Sequence, residues 1–170
     1  MKRFSLFLAF CLALPSLVQA DLSLPQFFSD HMVLQQMTPI EIRGWADAGE
    51  MVTVTFGKHS ESAKTSDEGR WKIRLPAMPA NSEPNTLKVK GNNTVEVKDV
   101  LIGEVWLCSG QSNMEWPLDR VEDAKNVLAT ANRPNIRLCS FTGLRRVDDT
   151  VVPQSGAGVV GVALVLVGVD

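Results

Sequence analysis

The chain has 170 residues, 45% of them hydrophobic and 21% charged, with a net charge of −2. This balance excludes a disordered chain, and the length suits about one domain. Lys and Arg are scattered, so no basic patch marks a nucleic-acid partner, and the 12 glycines and 9 prolines follow no collagen period.

The first element in chain order is not part of the fold. Lys2 and Arg3 precede an apolar run over residues 4–14, Pro15 ends it, and Val18-Gln19-Ala20 has the small-residue pattern of a cleavage site. Together they predict a secretory signal peptide over residues 1–20, cut after Ala20. The run is too short to span a bilayer. Cleavage takes two of the 17 basic side chains and none of the 19 acidic ones, leaving 15 against 19 and a net charge of −4. The expected mature protein is soluble, secreted or periplasmic, with membrane contact unlikely after the leader is removed, and it sits where disulfides persist.

Residues 21–99 alternate in period two. The segments 40–45 (I-E-I-R-G-W), 51–56 (M-V-T-V-T-F), 71–75 (W-K-I-R-L), 87–90 (L-K-V-K) and 94–98 (T-V-E-V-K) predict strands with one wet face. Turn signals separate them at residues 48–50, 57–58, 67–69, 76–84 and 91–93. Short, regular strands of this kind predict an antiparallel β-sandwich, with Trp45 and Trp71 in its core. His31 and His59 are the only histidines, and neither has a second His or Cys at metal-ligand spacing. Neither is expected to hold a metal or to act in catalysis.

The pattern changes at Asp99. Residues 100–108 are almost continuously apolar, as in a strand buried on both faces. Residues 109–117 (S-G-Q-S-N-M-E-W-P) read as a turn, 121–131 place Val121, Ala124, Val127 or Leu128, and Ala131 on one helical face, and 136–141 read as a second strand. Strand, loop, helix and strand make one βαβ unit, which normally recurs to build a covered sheet. A Gly-containing turn at the carboxyl end of a buried strand is where open α/β sheets place their sites. Ser112 is therefore a candidate nucleophile for acyl transfer, supported by Gly110, Gln111 and Asn113, whose turn can offer backbone N–H groups to an oxyanion. The same residues also suit an ordinary turn.

Residues 103–116 (G-E-V-W-L-C-S-G-Q-S-N-M-E-W) resemble the nucleophile block of the sialate O-acetylesterase family, which are SGNH-type carbohydrate esterases. Upstream pieces agree in order: Leu24-Pro25, Met32-Val33-Leu34-Gln35, Gly44-Trp45-Ala46, Gly49-Glu50, Gly69-Arg70-Trp71 and Leu75-Pro76-Ala77. The resemblance covers residues 22–141. It implies an α+β chain: an N-terminal antiparallel β-sandwich, then the first βαβ unit of an SGNH-type, flavodoxin-like hydrolase domain over residues 100–150, truncated there. It implies hydrolysis of O-acetyl esters on sialic acids or related sugars, without a cofactor, with Ser112 as nucleophile and its own N–H as an oxyanion donor. The family's base is a His in a late Asp-x-x-His block, and no His follows Ser112 here. A serine without its base is a poor nucleophile, so little or no esterase activity is expected of this chain alone. The alternative is a non-catalytic carbohydrate-binding or structural β-sandwich module.

Residues 151–169 carry no charge, with eight valines and four glycines. This atypical tail fits a frameshifted or truncated reading frame, a buried strand, or a membrane anchor. Cys108 and Cys139 fall on the two strands of the βαβ unit. If those strands are neighbours, a disulfide is possible; two separate buried thiols suit the sequence equally.

Overall fold

The computed structural model describes residues 21–108, 116–141, 144–147, 150–153 and 162–168. The expected leader and the turn over residues 109–115 lie outside the described residues. In chain order the elements are β1 (Val33–Gln35), β2 (Ile40–Trp45), β3 (Met51–Phe56), β4 (His59–Lys64), β5 (Arg70–Leu75), β6 (Asn81–Lys90) and β7 (Thr94–Cys108). A 3-10 turn at Leu118–Arg120 follows, then α1 (Ala124–Ala129), β8 (Ile136–Phe141), β9 (Leu144–Val147), β10 (Thr150–Pro153) and β11 (Val162–Gly168). The described chain is mostly β-strand, with one short α-helix.

Alternation does most of the building. β2 buries Ile40 and Ile42, β3 buries Val52, Val54 and Phe56, and β5 buries Trp71, Ile73 and Leu75. β2 and β5 pair antiparallel as a two-stranded sheet, with Ile42 opposite Ile73 and Trp45 opposite Arg70. The larger sheet runs β4-β3-β6-β7-β11-β8, and β1 joins β7 in parallel. Inner residues of both sheets merge in one core with Leu87, Val89, Val97 and Val100. Each such side chain contributes about 1.5–3 kcal/mol when fully buried.

Trp45 departs from expectation. Trp71 is in the core, whereas Trp45 is 37% exposed. The strand's own period explains this: Ile40, Ile42 and Gly44 face inward, so Trp45 falls on the opposite face. The hairpin β3-β4 turns through Gly57-Lys58, with Gly57 at φ 57°, a left-handed conformation that glycine adopts without strain.

β7 is continuous through residue 99, where the sequence changes character. Asp99 adopts φ 54° inside the strand, so the pattern change coincides with a backbone kink. Only the first part of the apolar run is enclosed. Val100, Leu101 and Ile102 are buried, but Trp106 and Leu107 are exposed, Leu107 by 70%. The expectation of a strand covered on both faces fails at this end because α1 does not pack on it; no residue of α1 is buried.

β7 and β8 are both antiparallel to β11, so they run parallel to each other, as a βαβ unit requires. They are not neighbours, because β11 lies between them. Residues 162–168 of the atypical tail are therefore a strand of the main sheet. Among the described residues no helix is long and apolar enough to cross a membrane.

Candidate functional site

The candidate nucleophile and its turn partners, Gly110, Gln111, Ser112 and Asn113, lie outside the described residues. The structure describes the residues on either side: the end of β7 before residue 109, and Trp116 and the 3-10 turn after residue 115.

β7 is held at residues 103–105 by a polar clasp from Gln35, the last residue of β1, and from Gln36 just after it. The Val105 N–H donates to Gln35 Oε1 at 2.8 Å, and the Gln36 N–H donates to the Gly103 carbonyl at 2.8 Å. The amides of Gln35 and Gln36 both donate to the Glu104 carboxylate, the first at 3.4 Å. Across the turn, Trp116 Nε1 donates to the Arg120 carbonyl at 3.3 Å. The first set of bonds joins β7 to the β1 segment, whereas the Trp116 bond is local to the 3-10 turn.

A groove of about 390 Å³ runs between the 27–35 segment and β8, lined by Phe27, Phe28, Met32, Leu34, Val105, Leu138 and Cys139 among others. At its edge lies a cluster that the sequence did not reveal. His31 Nδ1 bonds Asp99 Oδ2 at 2.5 Å, and Arg137 Nη2 donates to Asp99 Oδ1 at 2.8 Å. Arg137 Nη1 also donates to the Asp99 carbonyl. The kink at Asp99 thus collects one partner from the loop before β1 and one from β8. The His31 bond, and next the Arg137 bond, hold the Asp99 carboxyl below the usual carboxylate range. With the Arg137 guanidinium mostly covered, this pair anchors β8 to the β-rich part of the chain.

The sign of its pH dependence follows. A carboxylate with a depressed pKa stabilises the fold above its unfolded pKa, near 3.9, and that contribution is lost as pH falls through the folded value. Asp99→Asn keeps a residue tolerant of positive φ and removes the charge. Thermal melts from pH 7 to pH 2 should show the parent losing on the order of 1 kcal/mol more than the variant below about pH 4. Parallel acid limbs would count against the pairing.

The cysteines stand apart. Cys108 registers with Ala163 of β11 and Cys139 with Leu164, so a whole strand separates them. Adjacent strands are about 4.8 Å apart, which places two strands' separation beyond disulfide reach. Both thiols are free, and burial pushes the Cys139 thiol up. A neutral, buried thiol is a weak nucleophile. His59 opens β4 and is half-exposed, not part of the turn before it. Among the described residues no group of three or more His, Cys, Asp or Glu side chains is placed to hold a metal ion.

No protein-family model matches the chain. Curated proteins do. It is similar to the sialate O-acetylesterase of Rattus norvegicus, with 35% identity over 129 residues, 68% of this chain and 24% of that protein. The sialate O-acetylesterase of Homo sapiens is 30% identical over 152 residues, 79% of this chain and 29% of that one. The crystal structure of a carbohydrate acetylesterase from Xanthomonas citri superposes with a TM-score of 0.64 at 38% identity, over 68% of this chain and 26% of that chain. The chain spans about a quarter of the length of the curated relatives it matches.

Proposed function

The chain belongs to the sialate O-acetylesterase family over the stretch it shares with those enzymes, and from that premise we propose that it is the front part of a serine esterase acting on O-acetylated sialic acids or related sugars. The observation that carries this reading is the Gly-Gln-Ser-Asn block placed directly after β7, the strand that the Gln35–Gln36–Glu104 clasp holds. In this reading Ser112 is the nucleophile, its own N–H is one oxyanion donor, and Gly110, Gln111 and Asn113 shape the turn. Residues 1–20 direct the protein out of the cytoplasm and are removed. Residues 21–99 form a β-sandwich, residues 100–150 begin an SGNH-type domain, and the substrate is an acetylated sugar.

The chain's own residues do not complete the catalytic set. His31 is committed to Asp99 and His59 starts a strand of the β-rich part, so neither is a base offered by the family's pattern. Esterase turnover by this chain alone is accordingly very low. The second reading is a non-catalytic β-sandwich module, carbohydrate-binding or structural.

Acetate release from O-acetylated sialic acid separates the two. Under the first reading the chain releases acetate slowly, and Ser112→Ala brings the rate to that of buffer. Release that is unchanged in Ser112→Ala would remove Ser112 from the mechanism. Saturable sugar binding with no release in either protein would establish the module.

A further inference from the structure

A second groove, about 350 Å³, lies against the two-stranded sheet and is lined by Pro25, Arg43, Trp45, Arg70, Trp71 and Lys72 among others. The outward positions of β2 are Glu41, Arg43 and Trp45, and their register partners on β5 are Arg74, Lys72 and Arg70. This face carries four cationic side chains in a chain whose net charge is −2. Glu41 is occupied by Lys72 at 3.8 Å and Arg74 at 3.4 Å. Among the described residues Arg43 and Arg70 have no carboxylate within ion-pair distance, although Arg70 lies close enough to Glu68 to help hold that carboxyl low.

Two tryptophans complete the groove. Trp45 is held by paired backbone hydrogen bonds with Ser23, at 2.9 and 3.0 Å, and presents its indole on the cationic face. Trp71 is 3% exposed, and its Nε1–H has no hydrogen-bond partner among the described residues. Trp71 therefore backs the groove from the core side of the sheet, and the groove's exposed indole is that of Trp45.

We propose that this groove binds an acidic saccharide. Arg43 and Arg70 take the sugar's carboxylate through charge-assisted hydrogen bonds, for which the guanidinium fork is suited. Trp45 covers the apolar face of the ring, the amphipathic contact that indole makes well. The site is separate from Ser112 and serves retention of the sugar chain, not its chemistry. The sugar as ligand class rests on the function proposed above. The isolated extent of the cationic face argues against nucleic acid, which needs a basic stripe.

The indole N–H signals of the full chain report on this directly. Titration with sialyllactose should shift the Trp45 signal saturably, leaving those of Trp106 and Trp116, which flank the 109–115 turn, unmoved. Lactose should shift none. Arg43→Gln and Trp45→Ala should each weaken binding about tenfold, with circular dichroism unchanged, while Ser112→Ala binds as the parent does. Shifts at Trp106 and Trp116 alone would place the sugar at the turn and overturn the proposal, while leaving the esterase reading intact. An equal response to lactose, or to a short oligodeoxynucleotide in place of sialyllactose, would also overturn it. Loss of Ser112-dependent acetate release with groove binding retained would sink the esterase reading alone.

Discussion

Phe56→Ala is expected to lower the unfolding free energy by about 3–5 kcal/mol, a large share of what a domain of this size possesses. Phe56 is 1% exposed and is the largest of the fully buried side chains. It ends β3, faces Leu87 of β6 in register, and lies in the core that the two sheets share. Truncation removes the ring's transfer free energy and leaves a cavity walled by two sheets that cannot easily close on it. Urea titration of the parent and variant measures the difference. Lys58→Ala, in the exposed turn beside it, should change stability by less than about 0.5 kcal/mol. Equal effects of the two substitutions would show that the core is not where the structure puts it.

Gly44→Ala should cost about 3 kcal/mol, for a different reason. A Cβ on Gly44 would collide with the Ser23 carbonyl oxygen and lie 2.8 Å from Cζ2 of Trp71. One obstacle is backbone and the other a ring fixed in the core, so neither can yield cheaply. The paired Ser23–Trp45 hydrogen bonds would part, and Trp71 would be displaced toward solvent. A fall in melting temperature with a red-shifted indole emission is the expected signature. Gly57→Ala provides the comparison. No atom lies within 4 Å of its added Cβ, but its φ is +57°, so its cost is the left-handed conformation alone, about 1–2 kcal/mol. A Gly44→Ala protein as stable as the parent would refute the close approach.

The strands with a wet face and a dry face were legible in the sequence. The segments 40–45 and 51–56 match β2 and β3 residue for residue, and 136–141 matches β8. β4 was not legible because its sequence, H-S-E-S-A-K, is polar on both faces and it lies at the sheet edge. Pro84 disguised the first half of β6. A proline suits a strand only at an edge or irregularity, and β6 changes register between Asn81 and Leu87, around that residue. The expected helix over residues 121–131 contracts to Ala124–Ala129, because a short helix without an apolar surface to cover gains little from forming. The turn over residues 109–115 lies outside the described residues. The cluster of His31, Asp99 and Arg137 was not legible, since its members are 68 and 38 residues apart and nothing local in the sequence links them. β11 was open among three readings because uncharged valine-rich composition does not name its neighbours.

The parallel pairing of β1 with β7 sets an order of events in time. Val33 registers with Leu101, and the flanking bonds of His31 to Asp99 and Gln36 to Glu104 each span 68 residues. At about 5–20 residues per second, β1 leaves the ribosome several seconds before the strand it pairs with exists. During that interval Met32, Val33 and Leu34 have no native surface to cover them. The hairpins β3-β4 and β6-β7 need only local closure and assemble first. β1 has to wait for β7, and the bonds from Gln35 and Gln36 to residues 103–105 of β7 wait with it.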